Sequence, residues 1–129
     1  MNRPAQASIL IVDDVPTNIQ VLAEALRQQH RVKVATNGRD ALTIARAEPQ
    51  PDMVLLDVMM PEMDGYQVLA QLKKDKIRIP VTVVLTNLSQ PVTKEECKAL
   101  GAEDYIVKSD SDAEDVWEKV EKYLPHEGG

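Results

Sequence analysis

Met53-Val54-Leu55-Leu56 is a run of four apolar residues closed by Asp57. A run this short, apolar at every position and ended by a charge, reads as a strand covered on both faces. Outward from it, Ser8–Val12 (SILIV) and Val81–Leu85 (VTVVL) have the same character, and Asp104–Val107 (DYIV) reads as a last strand. Arg31–Ala35 (RVKVA) alternates polar and apolar residues, the pattern of a strand with one wetter face.

Helical spacing fills the intervals. Ile19, Leu22, Ala23 and Leu26 recur behind the start signals Pro16 and Thr17. Asn37 can cap a helix carrying Ala41, Leu42 and Ala45, which Pro49 and Pro51 close. Gly65 to Lys74 turns Val68, Leu69 and Leu72 inward. Thr93 to Leu100 is a short helix ended by Gly101, a natural left-handed cap. The last helix starts near Asp112 and runs to Leu124, with Val116, Val120 and Leu124 on one face and Pro125 as its stop. Strands apolar on both sides, each followed by a helix, imply a parallel sheet with right-handed crossovers. The expected fold is α/β: a flavodoxin-like, doubly wound (βα)5 unit with a five-stranded parallel sheet in the order 2-1-3-4-5. It occupies residues 8–124, with an N-terminal extension at 1–7 and a tail or linker stub at 125–129.

The 129 residues suit one domain, and an aromatic fraction of 3% without any Phe requires an aliphatic core. A net charge of −6 argues against direct nucleic-acid binding, which depends on Lys and Arg to neutralise phosphates. Cys97 is the single cysteine, which excludes an internal disulfide and suits a reducing compartment. It reads either as a reactive thiol or as a small apolar residue on a helix. Residues 1–8 have no signal-peptide pattern, and no apolar run approaches the ~18 residues of a membrane span. A cytoplasmic, non-membrane protein is expected.

In an open parallel sheet, functional groups gather at the carboxyl ends of the strands. The residues met there are Asp13 and Asp14, then Asp57, Thr86 and Lys108. Each alone has an ordinary use: helix cap, turn former, strand end, solvated charge. Together they bring three carboxylates, a hydroxyl and an ammonium to one rim. Clustered carboxylates repel one another, and a hard divalent cation relieves the repulsion. Mg²⁺ takes oxygen ligands and keeps waters that a phosphate can displace. Lys108 and Thr86 suit phosphate oxygens, and an Asp carboxylate can act as a nucleophile toward phosphorus.

These residues lie in stretches that resemble the response-regulator receiver (CheY-like) family. The stretches are Ile11-Val12-Asp13-Asp14, the segment from Leu55 through Asp57-Val58-Met59-Met60-Pro61 to Asp64-Gly65, Val84-Leu85-Thr86, and Gly101 through Asp104-Tyr105-Ile106-Val107 to Lys108. The resemblance runs from Ser8 to Leu124. It implies that Asp57 is the phosphoacceptor, that Asp14 binds Mg²⁺ directly and Asp13 mainly through water, and that the Met59 backbone carbonyl is a further metal ligand. It also implies that Thr86 and Lys108 contact the phosphoryl group and that Tyr105 is an aromatic switch, turning inward as Thr86 moves to the phosphate. The implied partners are a histidine kinase or phosphotransfer protein as donor, and a downstream protein or output domain reached through residues 93–124. A phosphorylation-dependent dimer is a further option. Such a receiver catalyses only its own phosphorylation and dephosphorylation.

Two positions depart from the family pattern. Asn87 stands where a small residue is usual, and Ser109 stands where Pro usually follows the Lys. In the family that Lys-Pro bond is typically cis. A cis bond to Ser costs roughly 2.5–4 kcal/mol, so a trans Lys108–Ser109 bond is expected. Two other classes of function fit these residues less well. An Asp-nucleophile phosphatase needs a second Asp as general acid close after the nucleophile, and Met59 occupies that place. A phosphorylation-independent interaction module would not need the full set of acids, hydroxyl and Lys.

Overall fold

The computed structural model describes residues 8–27, 30–47, 50–58, 63–78, 80–86, 94–107 and 113–123. Strands and helices alternate: β1 (Ser8–Val12), α1 (Pro16–Arg27), β2 (Arg31–Ala35), α2 (Gly38–Arg46), β3 (Met53–Asp57), α3 (Gly65–Lys74), β4 (Val81–Thr86), α4 (Lys94–Leu100), β5 (Asp104–Val107) and α5 (Ala113–Tyr123). All strand pairs are parallel, in the order β2-β1-β3-β4-β5. This is the expected flavodoxin-like fold and strand order. Two boundaries differ slightly from the sequence reading, because Asp57 and Thr86 are the last residues of their strands rather than the first beyond them.

The period-two alternation of a strand divides the core in two. Leu10, Val12, Val54, Leu56 and Val84 pack with Ala41, Leu42 and Ala45 of α2, Val68, Leu69 and Leu72 of α3, and Cys97 of α4. Ile9, Ile11, Met53, Leu55, Val83, Leu85 and Ile106 pack on the opposite side with Leu22, Ala23 and Leu26 of α1 and Val116 and Val120 of α5. Burying each aliphatic side chain stabilises the fold by about 1.5–3 kcal/mol. The central strands are therefore buried along almost their whole length, because both of their faces are covered. β2 is an edge strand, and its Val34 stays exposed although alternation alone would have placed it inward. Cys97 is fully buried, and burial together with the nearby negative charges of Asp104 and Glu96 pushes its thiol pKa up. It is a packing residue, since the reactive form is the thiolate.

The helix ends follow local chemistry. Asn37 caps α2 by accepting the Asp40 N–H. Asp64 and Gln67 form a reciprocal capping box at the start of α3. α4 closes on Gly101, which has a φ of 101°. There the Gly101 N–H donates to the Lys98 carbonyl and the Ala102 N–H to the Cys97 carbonyl. α3 closes in the same way, but its left-handed residue is Lys76, with a φ of 57°. The Lys76 N–H donates to the Lys73 carbonyl and the Ile77 N–H to the Leu72 carbonyl. A side chain in this conformation is strained by its Cβ, whereas glycine is not. Lys76→Gly is expected to stabilise the protein by about 0.5–1 kcal/mol. Urea unfolding should show a higher midpoint at an unchanged slope, and a lower midpoint would contradict the strain argument.

Candidate functional site

The carboxyl ends of β1 and β3 are neighbours in the sheet, and this brings the acids together. The Asp13 N–H donates to the Ala35 carbonyl (3.1 Å), which continues the β1–β2 ladder one residue past the strand. The Val58 N–H donates to the Leu85 carbonyl (3.1 Å) and does the same for β3 and β4. Asp13, Asp14 and Asp57 each present a carboxylate oxygen within 4.8 Å of the other two. Asp13 and Asp57 are fully buried and Asp14 is half-buried. Thr86, also buried, ends the next strand, in the register beside Val107.

The β3 end is fixed from below by a close approach. A Cβ on Gly65 would lie 2.6 Å from the Asp57 carbonyl oxygen and 3.1 Å from the Val58 Cα. Only glycine lets the first residue of α3 rest on the backbone of Asp57. The α3 capping box holds the same turn from the other side.

The Asp13 carboxylate is held by the start of α1. Its Oδ1 accepts the Val15 backbone N–H (3.0 Å), and its Oδ2 accepts the Asn18 Nδ2 (3.3 Å). Through the Val15 contact Asp13 turns the chain into α1, and its carboxylate remains part of the cluster.

Of the residues anticipated for the site, the structure brings Asp13, Asp14 and Asp57 into one cluster, with Thr86 on the same sheet edge. Tyr105 lies on β5 opposite Val84, half-buried against the face that carries α2, α3 and α4. Alternation sends Thr86, two residues past Val84, to that same face. Met59, Asn87, Lys108 and Ser109 lie outside the described residues, as do the Lys108–Ser109 bond, the Asp112 cap and Leu124.

One cluster next to Tyr105 was not anticipated. Asp104 is buried, and its Oδ1 accepts the Tyr105 N–H (2.7 Å). Its Oδ2 accepts the Tyr123 hydroxyl (2.7 Å) and lies 3.3 Å from Lys119 Nζ. Lys119 also donates to the Tyr105 carbonyl (3.1 Å) and sits 5.8 Å from the Tyr105 ring centroid. Burial by itself would raise the Asp104 pKa. The donors from Tyr123, Tyr105 and Lys119 outweigh it and hold the carboxyl below its ordinary value of 3.8. The one trace of it in the sequence is that Lys119 and Tyr123 stand four residues apart on α5, beside the inward Val116 and Val120, a spacing that fits a surface face equally well.

The chain belongs to the response regulator receiver domain family, whose pattern it matches over residues 9–121. Protein PilH of Pseudomonas aeruginosa is 44% identical over 105 residues, which cover 79% of this chain and 85% of PilH. A probable cyclic di-GMP phosphodiesterase of Vibrio cholerae is 44% identical over 106 residues, covering 81% of this chain but 24% of that protein. What matches here is the receiver alone. Among solved structures, chemotaxis protein CheY4 of Vibrio cholerae superposes with a TM-score of 0.80 at 30% identity, covering 93% of this chain and 100% of CheY4. The beryllofluoride-activated receiver domain of DrrB superposes with a TM-score of 0.76 at 29% identity, covering 92% and 97% of the two chains. This chain is thus a receiver of two-component signalling, a class that works with histidine kinases or phosphotransfer proteins and with output domains. Among the described residues, no helix is long and apolar enough to cross a membrane.

The depressed Asp104 pKa makes an acid-limb prediction. A carboxyl whose pKa falls on folding adds stability above its unfolded value, and that stability is lost as the pH drops through the folded value. Asp104→Asn should cost about 1–3 kcal/mol near pH 7. The gap from wild type should shrink below about pH 4. Urea unfolding at the two pH values checks this, and a gap that stays constant with pH would contradict it.

Proposed function

We propose that Asp57 accepts a phosphoryl group from a phosphohistidine donor, in a reaction that requires Mg²⁺. The observation that carries this reading is the buried Asp57 carboxylate, with an oxygen within 4.8 Å of those of Asp13 and Asp14. A nucleophilic carboxylate among other carboxylates repels an incoming phosphate unless a cation stands between them. The donor set is all oxygen, which fits a hard divalent ion. Asp14 and Asp57 would hold Mg²⁺ directly, Asp13 mainly through water, and the Met59 carbonyl would complete the protein's share. Bound there, the ion neutralises the carboxylates and the phosphoryl oxygens.

The chemistry at Asp57 is a displacement at phosphorus. A carboxylate oxygen of Asp57 forms a bond to phosphorus as the bond from phosphorus to the donor imidazole nitrogen breaks. The bonding pair stays on the imidazole, and Asp57 becomes an acyl phosphate. The Thr86 hydroxyl donates a hydrogen bond to one phosphoryl oxygen and Lys108 places its ammonium against another. Drawing Thr86 toward the phosphate vacates space on the face it shares with Tyr105, and the Tyr105 ring turns inward. The shift requires that the phosphoryl group favour the switched arrangement over the resting one. The signal leaves through residues 93–124. The receiver unit spans residues 8–124, between an extension at 1–7 and a tail or linker stub at 125–129, and acts in the cytoplasm. The DrrB relative supports the reading, because its receiver is activated by beryllofluoride.

Incubation with acetyl phosphate and Mg²⁺ should add the mass of one phosphoryl group to the intact protein. The addition should vanish in Asp57→Asn and in excess chelator. A variant that labels as well as wild type, or labelling undiminished by chelator, would overturn the assignment.

A further inference from the structure

The acid cluster contains one carboxylate that a neighbour with no charge of its own helps to orient. Asp13 is fully buried, and its main chain is tied to the β2 end through the Ala35 carbonyl. Its side chain cannot simply follow a cation, because both carboxylate oxygens take donors from the turn that leads into α1. Val15 supplies a backbone N–H to Oδ1 at 3.0 Å, and the half-buried Asn18 supplies Nδ2 to Oδ2 at 3.3 Å. Asn18 is itself locked in that turn, since its own N–H donates to the Val15 carbonyl (3.1 Å). The Val15 donor belongs to the backbone and is available to any residue there. The Asn18 donor is a property of this side chain.

We infer that Asn18 is a positioning residue for the metal site, holding Asp13 as a water-mediated partner of the cation and so favouring Mg²⁺ over Ca²⁺. The inference rests on the Mg²⁺-dependent reading of the acid cluster. An ionised carboxylate has about four acceptor positions, so these two fixed donors do not exclude a hydrogen bond from metal-bound water. They do not leave it free to rotate and grip the metal with one or both oxygens. Mg²⁺ is content with one or two direct carboxylates and keeps its waters in an octahedral shell. Ca²⁺ takes six to eight oxygens and gains most from a further, flexible carboxylate. A pinned Asp13 therefore withholds from Ca²⁺ the ligand it would use best. Removing the Asn18 donor loosens one side of that hold on Asp13, to the advantage of the larger ion.

The test is calorimetric titration of the whole chain with MgCl₂ and, separately, CaCl₂, comparing wild type with Asn18→Leu, which keeps the size but removes the donor. Asn18→Ala serves as the second variant, and thermal unfolding in excess chelator tracks any effect on the fold itself. Ca²⁺ affinity relative to Mg²⁺ should rise by roughly two- to tenfold, the factor that corresponds to the net contribution of one hydrogen bond. An unchanged ratio in both variants overturns the inference, whatever happens to the melting temperature in chelator, since a purely structural role would move the melt and leave the ratio alone. Wild-type protein that binds neither cation overturns the Mg²⁺ reading of the site and this inference with it.

Discussion

Like charges brought within 4.8 Å of one another oppose the fold that holds them there, and Asp13, Asp14 and Asp57 are so placed. Two unit charges about 4 Å apart repel by roughly 1 kcal/mol in water and by roughly 4 kcal/mol at an effective dielectric constant of about 20. Much of the rest of the structure can be read as what makes that juxtaposition tolerable. The parallel order β2-β1-β3-β4-β5 puts the ends of β1 and β3 side by side, and a sheet with an aliphatic core on both faces supplies the stability that the site consumes. The repulsion also makes the site useful, because a cluster of this kind gains from any cation that enters it.

The surrounding elements restrict how the acids can relieve their repulsion. Gly65 allows the α3 start to rest directly on the Asp57 backbone, where any side chain would push it away. The turn into α1 grips Asp13 through Val15 and Asn18. The ladder bonds from Asp13 to Ala35 and from Val58 to Leu85 carry the sheet's regularity past the strands and into the site. On the far edge of the sheet, Asp104 ties β5 to α5 through Tyr123 and Lys119, and Lys119 reaches both the carbonyl and the ring of Tyr105. Tyr105 and α5 are thus in direct contact through Lys119.

The strands and helix faces were legible in the sequence because they depend on local periodicity. Leu10 and Ile11, or Val54 and Leu55, had to be buried on opposite sides, and the rim rule then brought Asp13, Asp14, Asp57 and Thr86 to one edge. Gly101 was legible as a helix stop because glycine is the residue that fits a positive φ. Lys76 performs the same role at the end of α3 and was invisible, since nothing in a run of Lys and Asp announces a left-handed residue. The exposure of Val34 came from the place of β2 at the sheet edge, which a strand's own sequence does not encode. The Asn18–Asp13 and Asp104–Tyr123 contacts were missed for a related reason: each is decided by how a helix docks on a strand end, and a polar residue at such a place reads equally well as surface.

The central claim is that this carboxylate cluster holds one cation and one phosphoryl group, with Asp57 as the acceptor. A crystal structure grown with beryllofluoride and Mg²⁺ tests it most directly. The account predicts beryllium bonded to an Asp57 carboxylate oxygen, Mg²⁺ against Asp14 and Asp57, the Thr86 hydroxyl on a fluoride, and the Tyr105 ring turned inward. Beryllofluoride attached to a different carboxylate, or Mg²⁺ bound away from these acids, would contradict it.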